Sequence, residues 1–213
     1  MHPSAHDIYG SEEHRSFRET ARRFIQGELV PRAREFDAMG RFDRALYPKM
    51  GELGLLGIRY EPQYGGLGLD YSYQAIFLEE LTLCDNAGVC MGISVQTDMA
   101  TPALARFGSH ELKQKYLAPA IRGEHVAAIA VTEPSGGSDV AGIRTRAVRD
   151  GDHWVINGSK MYITNSATAD WLCLLAVTDP DAGYGGFTQI IVPTDSPGFS
   201  YELLDKIGNK GSD

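Results

Sequence analysis

Nowhere in this chain of 213 residues do eighteen apolar residues follow one another, so no segment reads as a membrane-spanning helix. Cysteine is scarce, with only Cys84, Cys90 and Cys173. An odd count without a metal-type pair argues against a disulfide framework or a zinc site. The three read as small apolar core residues in a reducing compartment. The six histidines are scattered without ligand spacing, so no metal centre is expected. Gly65, Gly66 and Gly68 do not complete a Gly-x-Gly-x-x-Gly fingerprint, because Tyr71 stands at its last position, and no P-loop is present. Basic residues are outnumbered, 20 against 28 acidic, for a net charge of −8. Such a surface repels phosphate backbones and excludes non-specific nucleic-acid binding. Met1 to His6 lack a basic stretch followed by an apolar one, so no secretory signal is read there. Asn157-Gly158-Ser159 therefore reads as a turn and not as a glycosylation acceptor. The expected location is the cytoplasm.

What is present is an ordinary globular composition, 43% hydrophobic and 23% charged, enough to bury a core. The apolar period changes near residue 125, which divides the chain into a helical part, 1–125, and a β part, 126–213. Ser11 is a good N-cap, and Glu12 and Glu13 suit the positive end of a helix. Phe17, Ala21, Phe24 and Ile25 follow as one buried stripe, and Pro31 should break or kink that helix. A short helix with Leu46, Met50 and Leu53 is expected after Asp43, then a glycine-rich loop over 64–69. A further helix spans about 72–83 with Ile76, Phe77, Leu81 and Leu83. The nearly uncharged stretch 87–104 reads as a helix buried on most sides. Ser109 caps a last helix with Leu112, Tyr116 and Leu117, stopped by Gly123.

Beyond that point strands are expected at 126–131, 143–148, 154–156, 161–163, 171–177 and 187–192. Asp150-Gly151 and Asn157-Gly158 serve as hairpin turns. Consecutive pairing would give an antiparallel meander, a small barrel or sandwich. The fold class is therefore α+β, a helical bundle followed by an antiparallel β-domain.

Two stretches could carry chemistry. In Val131-Thr132-Glu133-Pro134-Ser135-Gly136-Gly137-Ser138-Asp139 a strand ends and the backbone turns sharply with no side chain in the way. Successive N–H groups of such a turn can nest an anion such as a pyrophosphate. On turn chemistry alone, a plain interstrand loop is the preferred reading. In Asn157-Gly158-Ser159-Lys160-Met161-Tyr162-Ile163-Thr164-Asn165, Tyr162 and Thr164 would share one face of a strand. A ring beside a hydroxyl would suit the face and edge of a flavin, although an ordinary half-buried strand has the same look.

Together, in this order and spacing, the two stretches resemble the signature of the acyl-CoA dehydrogenase family. Tyr64-Gly65-Gly66-Leu67-Gly68, Phe107-Gly108-Ser109 and Gly208 to Asp213 agree with it too. The resemblance implies FAD as cofactor, an acyl-CoA thioester as substrate, an electron-transfer flavoprotein as acceptor and a homo-oligomer, dimer or tetramer, at full length. It implies that Ile129, Val131 and Thr132 line the flavin ring, with Thr132 on its pyrimidine edge. Gly137 and Ser138 would meet the pyrophosphate, and Ser138 also the coenzyme A part of the substrate. Tyr162, with Ile163 beside it, would stack on the flavin face away from the substrate; Thr164 would bond near N5. Gln96 would lie near the acyl pocket. In the family a glutamate removes the proton α to the thioester carbonyl while the β-hydride passes to flavin N5. Glu133 belongs to the flavin loop and does not match that base, so the resemblance implies no catalytic residue in this chain. The chain as given is expected to be inactive and to bind FAD weakly. An acyl-CoA oxidase or flavin monooxygenase of the same architecture, or a non-catalytic binding or assembly subunit, remains open at this level.

Overall fold

The computed structural model describes residues 9–213; the opening residues read above as carrying no secretory signal lie outside them. Helix α1, Glu12–Phe24, starts where Ser11 accepts from the His14 N–H. The helical path does not stop at Pro31. It passes through a π turn, Ile25–Leu29, and a 3-10 turn, Val30–Arg32, into α2, Ala33–Met39. Proline lacks a donor, so the altered hydrogen-bond pattern accommodates it without ending the path. Gly40, at φ 71, ends α2. Helix α3 spans Leu46–Glu52 after Asp43 accepts from the Ala45 N–H.

Helix α4, Tyr71–Leu81, is capped by Asp70 through the Ser72 N–H. Its Glu80 is buried and holds Arg18 and Arg22 of α1, each at 2.7 Å. Helix α5, Ala87–Ser94, continues through a π turn, Val95–Ala100, into α6, Thr101–Phe107. Helix α7, His110–Leu112, is capped by Ser109 and runs through another π turn into α8, Ala118–Ile121. Leu53 and Leu83, read as residues of α3 and α4, lie just past their ends and are exposed.

The β part is a five-stranded sheet. Its strands are β1 Ala127–Ala130, β2 Arg146–Asp150, β3 His153–Asn157, β4 Trp171–Val177 and β5 Phe187–Pro193. The expected antiparallel meander is corrected: the sheet is mixed. Strand β4 runs parallel to β1 and to the start of β2, while β2–β3 and β4–β5 pair antiparallel. No strand forms at 161–163; that stretch is irregular. The Asn157-Gly158 pair is not a hairpin turn but the start of a crossover. Gly158 is needed because a Cβ there would lie 2.4 Å from Thr145 Oγ1.

Strands β1 and β4 are covered on both faces, which explains their unbroken apolar text. Ala127, Trp171 and Cys173 pack with Tyr60, Leu104, Leu117 and Ile121 of the helical part. Their neighbours Ala128, Ala130, Leu172, Leu174 and Ala176 face the opposite way with Ala147 and Ile156. The helical part has its own core around Phe36, Tyr47, Met50, Phe77 and Leu81. Arg44 closes the junction, reaching Asp170 and the Thr168 carbonyl at 2.6 Å, while Asp170 accepts from the Val126 N–H at 2.7 Å.

Candidate active site

The turn after β1 is closed by two backbone hydrogen bonds between Glu133 and Gly136, both 3.0 Å. Pro134 and Ser135 form its tip. The Glu133 side chain folds back beneath the turn and is buried. Its carboxylate accepts from the Arg144 N–H (2.7 Å), the Thr145 N–H (2.8 Å), the Thr145 hydroxyl (2.5 Å) and the Lys160 ammonium (3.0 Å). Desolvation alone would raise its pKa. The hydrogen bonds from Thr145, the Arg144 amide and Lys160 outweigh that and hold it down at about 2. A carboxylate so placed is a frame member and a very weak proton acceptor.

Lys160 also donates to the Val131 carbonyl at 2.9 Å, and the Met161 N–H donates to the Thr132 carbonyl at 2.9 Å. These bonds fasten the two sequence stretches side by side. The backbone then enters the left-handed region at Tyr162, φ 60, and again at Asn165, φ 71. A bulky residue at positive φ is strained and persists only where its surroundings impose it. Asn165 supplies that constraint. It is buried, donates to the Gly92 carbonyl of α5 at 2.8 Å and reaches the Ala127 carbonyl of β1. Tyr162 is left 72% exposed, so its ring is open to a partner.

Around this frame stands a set of unspent polar groups. Among the described residues, the Thr132, Ser138 and Thr164 hydroxyls make no hydrogen bond, nor do the N–H groups of Gly137 and Ser138. Gly137 lies against Thr132: a Cβ would come within 3.0 Å of Thr132 Cγ2. The lack of a side chain keeps the turn close to the end of β1. Val131 and Ile129 are partly buried at that end, and Ile163 packs on the sheet core. The structure thus brings together Val131, Thr132, Gly137, Ser138 and the 162–164 stretch. It does not place Tyr162 and Thr164 on a strand face.

Gln96 is separate from this group. Its buried amide donates to the Ala120 and His125 carbonyls at 3.0 and 3.2 Å and accepts from the Ala127 N–H at 3.1 Å. Those bonds join the helical part to β1 and use both amide hydrogens. The sequence reading missed Lys160, Asn165 and Asp170 as junction and frame residues. Lys160 and Asn165 stood inside the quoted motif, but nothing in their local spacing marks them as frame residues.

A cavity of about 670 Å³ opens beside the turn, lined by Ile143, Arg144, Arg146, Asp179, Tyr184 and Phe187. No helix among the described residues is long and apolar enough to cross a membrane. Nor is any group of three or more His, Cys, Asp or Glu placed to hold a metal ion among them.

The acyl-CoA dehydrogenase N-terminal domain family matches residues 11–124, and the middle domain family matches 128–213. The chain is 41% identical over 202 residues to the mitochondrial isovaleryl-CoA dehydrogenase of Solanum tuberosum, covering 93% of this chain and 49% of that protein. It superposes with a TM-score of 0.91 on an acyl-CoA dehydrogenase from Geobacillus kaustophilus, at 38% identity over 96% of this chain and 54% of the other. A glutaryl-CoA dehydrogenase from Mycobacterium smegmatis in complex with FADH2 matches with a TM-score of 0.89 and 32% identity, over 98% and 52%. The chain spans about half the length of the relatives it matches. With both of its parts matched in order, the chain belongs to the acyl-CoA dehydrogenase family.

Proposed function

We propose that this chain carries the flavin-facing front of an enzyme that desaturates an acyl-CoA thioester between its α and β carbons, with FAD as hydride acceptor. One observation carries the reading. Donors without protein partners, at Thr132, Gly137, Ser138 and Thr164, stand beside an exposed aromatic ring on a frame tied by the Glu133, Lys160 and Met161 hydrogen bonds. Unspent donors on a rigid support are what a planar, anionic cofactor requires.

The residues fit FAD. Gly137 keeps open a cradle that a Cβ would crowd, and the adjoining N–H groups of Gly137 and Ser138 suit a pyrophosphate. Thr132 and Thr164 offer hydroxyls to ring heteroatoms, and Tyr162 offers a stacking face. Bound there, FAD supplies a two-electron acceptor for the β-hydride, and an electron-transfer flavoprotein is its proposed outlet. The chain's own part is to hold the ring and keep it oriented. Ile129, Val131 and Ile163 give that edge apolar walls. Ser138 would also meet the coenzyme A part of the substrate, and the nearby Arg144 and Arg146 would offer cations to its phosphates. Glu133 takes no proton in this scheme, since its charge is held by four donors. No catalytic base is assigned among these residues.

The test is a flavin titration of the purified chain, followed by fluorescence. The parent should bind FAD measurably more tightly than the Thr132→Val/Tyr162→Ala double variant. Equal binding by the two would overturn the assignment.

A further inference from the structure

The Cys84 and Cys90 sulfurs lie 3.3 Å apart across the turn that joins α4 to α5. This arrangement has no part in the flavin site, and the bland reading of these cysteines as separate core residues does not account for it. Cys84 is buried, but Cys90 is partly exposed and lines a surface pocket of about 470 Å³ with Thr82, Asp85, Ala87, Met91 and Ser94. Each sulfur has a carbonyl within reach, Asn86 O at 3.3 Å for Cys84 and Leu81 O at 3.1 Å for Cys90. The turn between them is tense: Asp85 sits at φ 56 without being glycine.

We infer that Cys84 and Cys90 form a redox-convertible dithiol, closed to a disulfide by hydrogen peroxide entering at Cys90. The sulfurs need to approach by about 1.3 Å to reach bonding distance. One sulfur attacks a peroxide oxygen as thiolate, the O–O bond breaks and hydroxide leaves. The second sulfur then displaces the new S–OH oxygen as water. Two thiols lose two electrons and two protons, and one peroxide becomes two waters. Contact between the thiols favours loss of the first proton, because the thiolate that forms accepts a hydrogen bond from its neighbour. It opposes loss of the second, which would place two anions together. Cys173 offers a contrast: it is alone, and burial pushes its thiol up to about 11.

The site is wired to residues 209–212. Asn86, two residues from Cys84, caps α5 and bonds the Ala33 carbonyl and Asp37. Gly211 packs so closely on Asn86 that a Cβ would lie 2.3 Å from its Oδ1. Gly88 meets Asn209, Gly211 and Ser212 as tightly. Closing the disulfide displaces the turn under this contact and loosens residues 206–213.

The experiment treats the purified chain with hydrogen peroxide, blocks remaining thiols with iodoacetamide and measures mass. Before alkylation the oxidised chain should be two hydrogens lighter; alkylation in denaturant should then mark Cys173 alone, leave Cys84 and Cys90 unalkylated, and dithiothreitol should reverse the loss in full. Cys84→Ser and Cys90→Ser should each abolish that loss and leave a sulfenic acid that dimedone labels. The same treatment in urea controls for folding: the bond should form faster in the folded chain. Alkylation of both cysteines after peroxide, the same loss in either variant, or equal rates folded and unfolded would overturn the dithiol. Hydrogen exchange should become faster over 206–213 in the oxidised chain, and unchanged exchange would overturn the coupling.

Discussion

Replacing Glu133 by glutamine tests whether the turn after β1 is held by a buried charge. Oε1 receives the Thr145 N–H, the Thr145 hydroxyl and Lys160, and Oε2 receives the Arg144 N–H. Whichever oxygen becomes an NH2, a donor then faces a donor, and Lys160 keeps a charge without its counter-ion. Breaking one side of a buried pair in this way costs about 2–4 kcal/mol at neutral pH. The pH dependence sharpens the test. The folded carboxyl titrates at about 2 against 4.5 without the fold. A depressed carboxylate stabilises above its unfolded pKa, and that stability is lost as pH falls through the folded value. The group thus contributes about 3 kcal/mol at neutral pH, of which about 2 are gone by pH 3. Urea unfolding at pH 7, 5 and 3, followed by the fluorescence of Trp154 and Trp171, reads both effects. The gap between parent and Glu133→Gln should be wide at pH 7 and narrow towards pH 3. A gap that is absent, or constant with pH, would refute the reasoning.

Other outcomes follow from the same geometry. Glu80→Gln removes the charge that Arg18 and Arg22 share, leaving Arg18 only its pair with Glu79, and should lower stability by about 2 kcal/mol in the same urea assay. Gly66→Ala puts a Cβ 2.0 Å from the Tyr60 carbonyl; the chain should unfold at markedly lower temperature or fail to accumulate, as read by calorimetry. Asn165→Ala loses the bonds to the Gly92 and Ala127 carbonyls and strains a positive φ, for about 2 kcal/mol. Asn165→Gly should recover only the backbone share. Gly137→Ala should weaken FAD roughly tenfold, because its Cβ would come within 3.0 Å of Thr132 Cγ2 and push the turn away from the end of β1.

Local chemistry was legible where a residue acts on its sequence neighbours. Ser11 and Ser109 cap helices as read, and Asp43 and Gly123 mark boundaries as expected. The division into helical and β parts was equally plain, because period 2 and period 3.6 do not mimic one another over long windows. Sheet order was not legible. Strands β1 and β4 are short apolar runs, and such runs say that both faces are covered without saying by which neighbour. A parallel partner 44 residues away, Ala127 with Trp171, leaves no trace in local spacing. Asn157-Gly158 misled for a related reason: glycine served a tight contact with Thr145, not a hairpin.

The motif itself divides by physical role, and that division explains which residues a sequence reading finds. Glu133, Lys160 and Asn165 spend their side-chain hydrogen bonds on other parts of the protein, so their chemistry points inward. Thr132, Gly137, Ser138, Tyr162 and Thr164 have their polar groups or ring turned to no protein partner. Both sets are needed at fixed spacing, and a pattern of letters cannot separate them. The separation comes from counting hydrogen bonds. A residue whose donors and acceptors are all used can only hold the site, whereas one with unspent groups beside a rigid frame can meet a ligand. On that criterion Tyr162 is the most informative position. Its positive φ is imposed from both sides, by the Met161–Thr132 bond and by Asn165, and the result is an exposed ring. Folding alone gains little from an exposed, strained tyrosine, and the proposed stacking of a flavin on its ring would account for that placement.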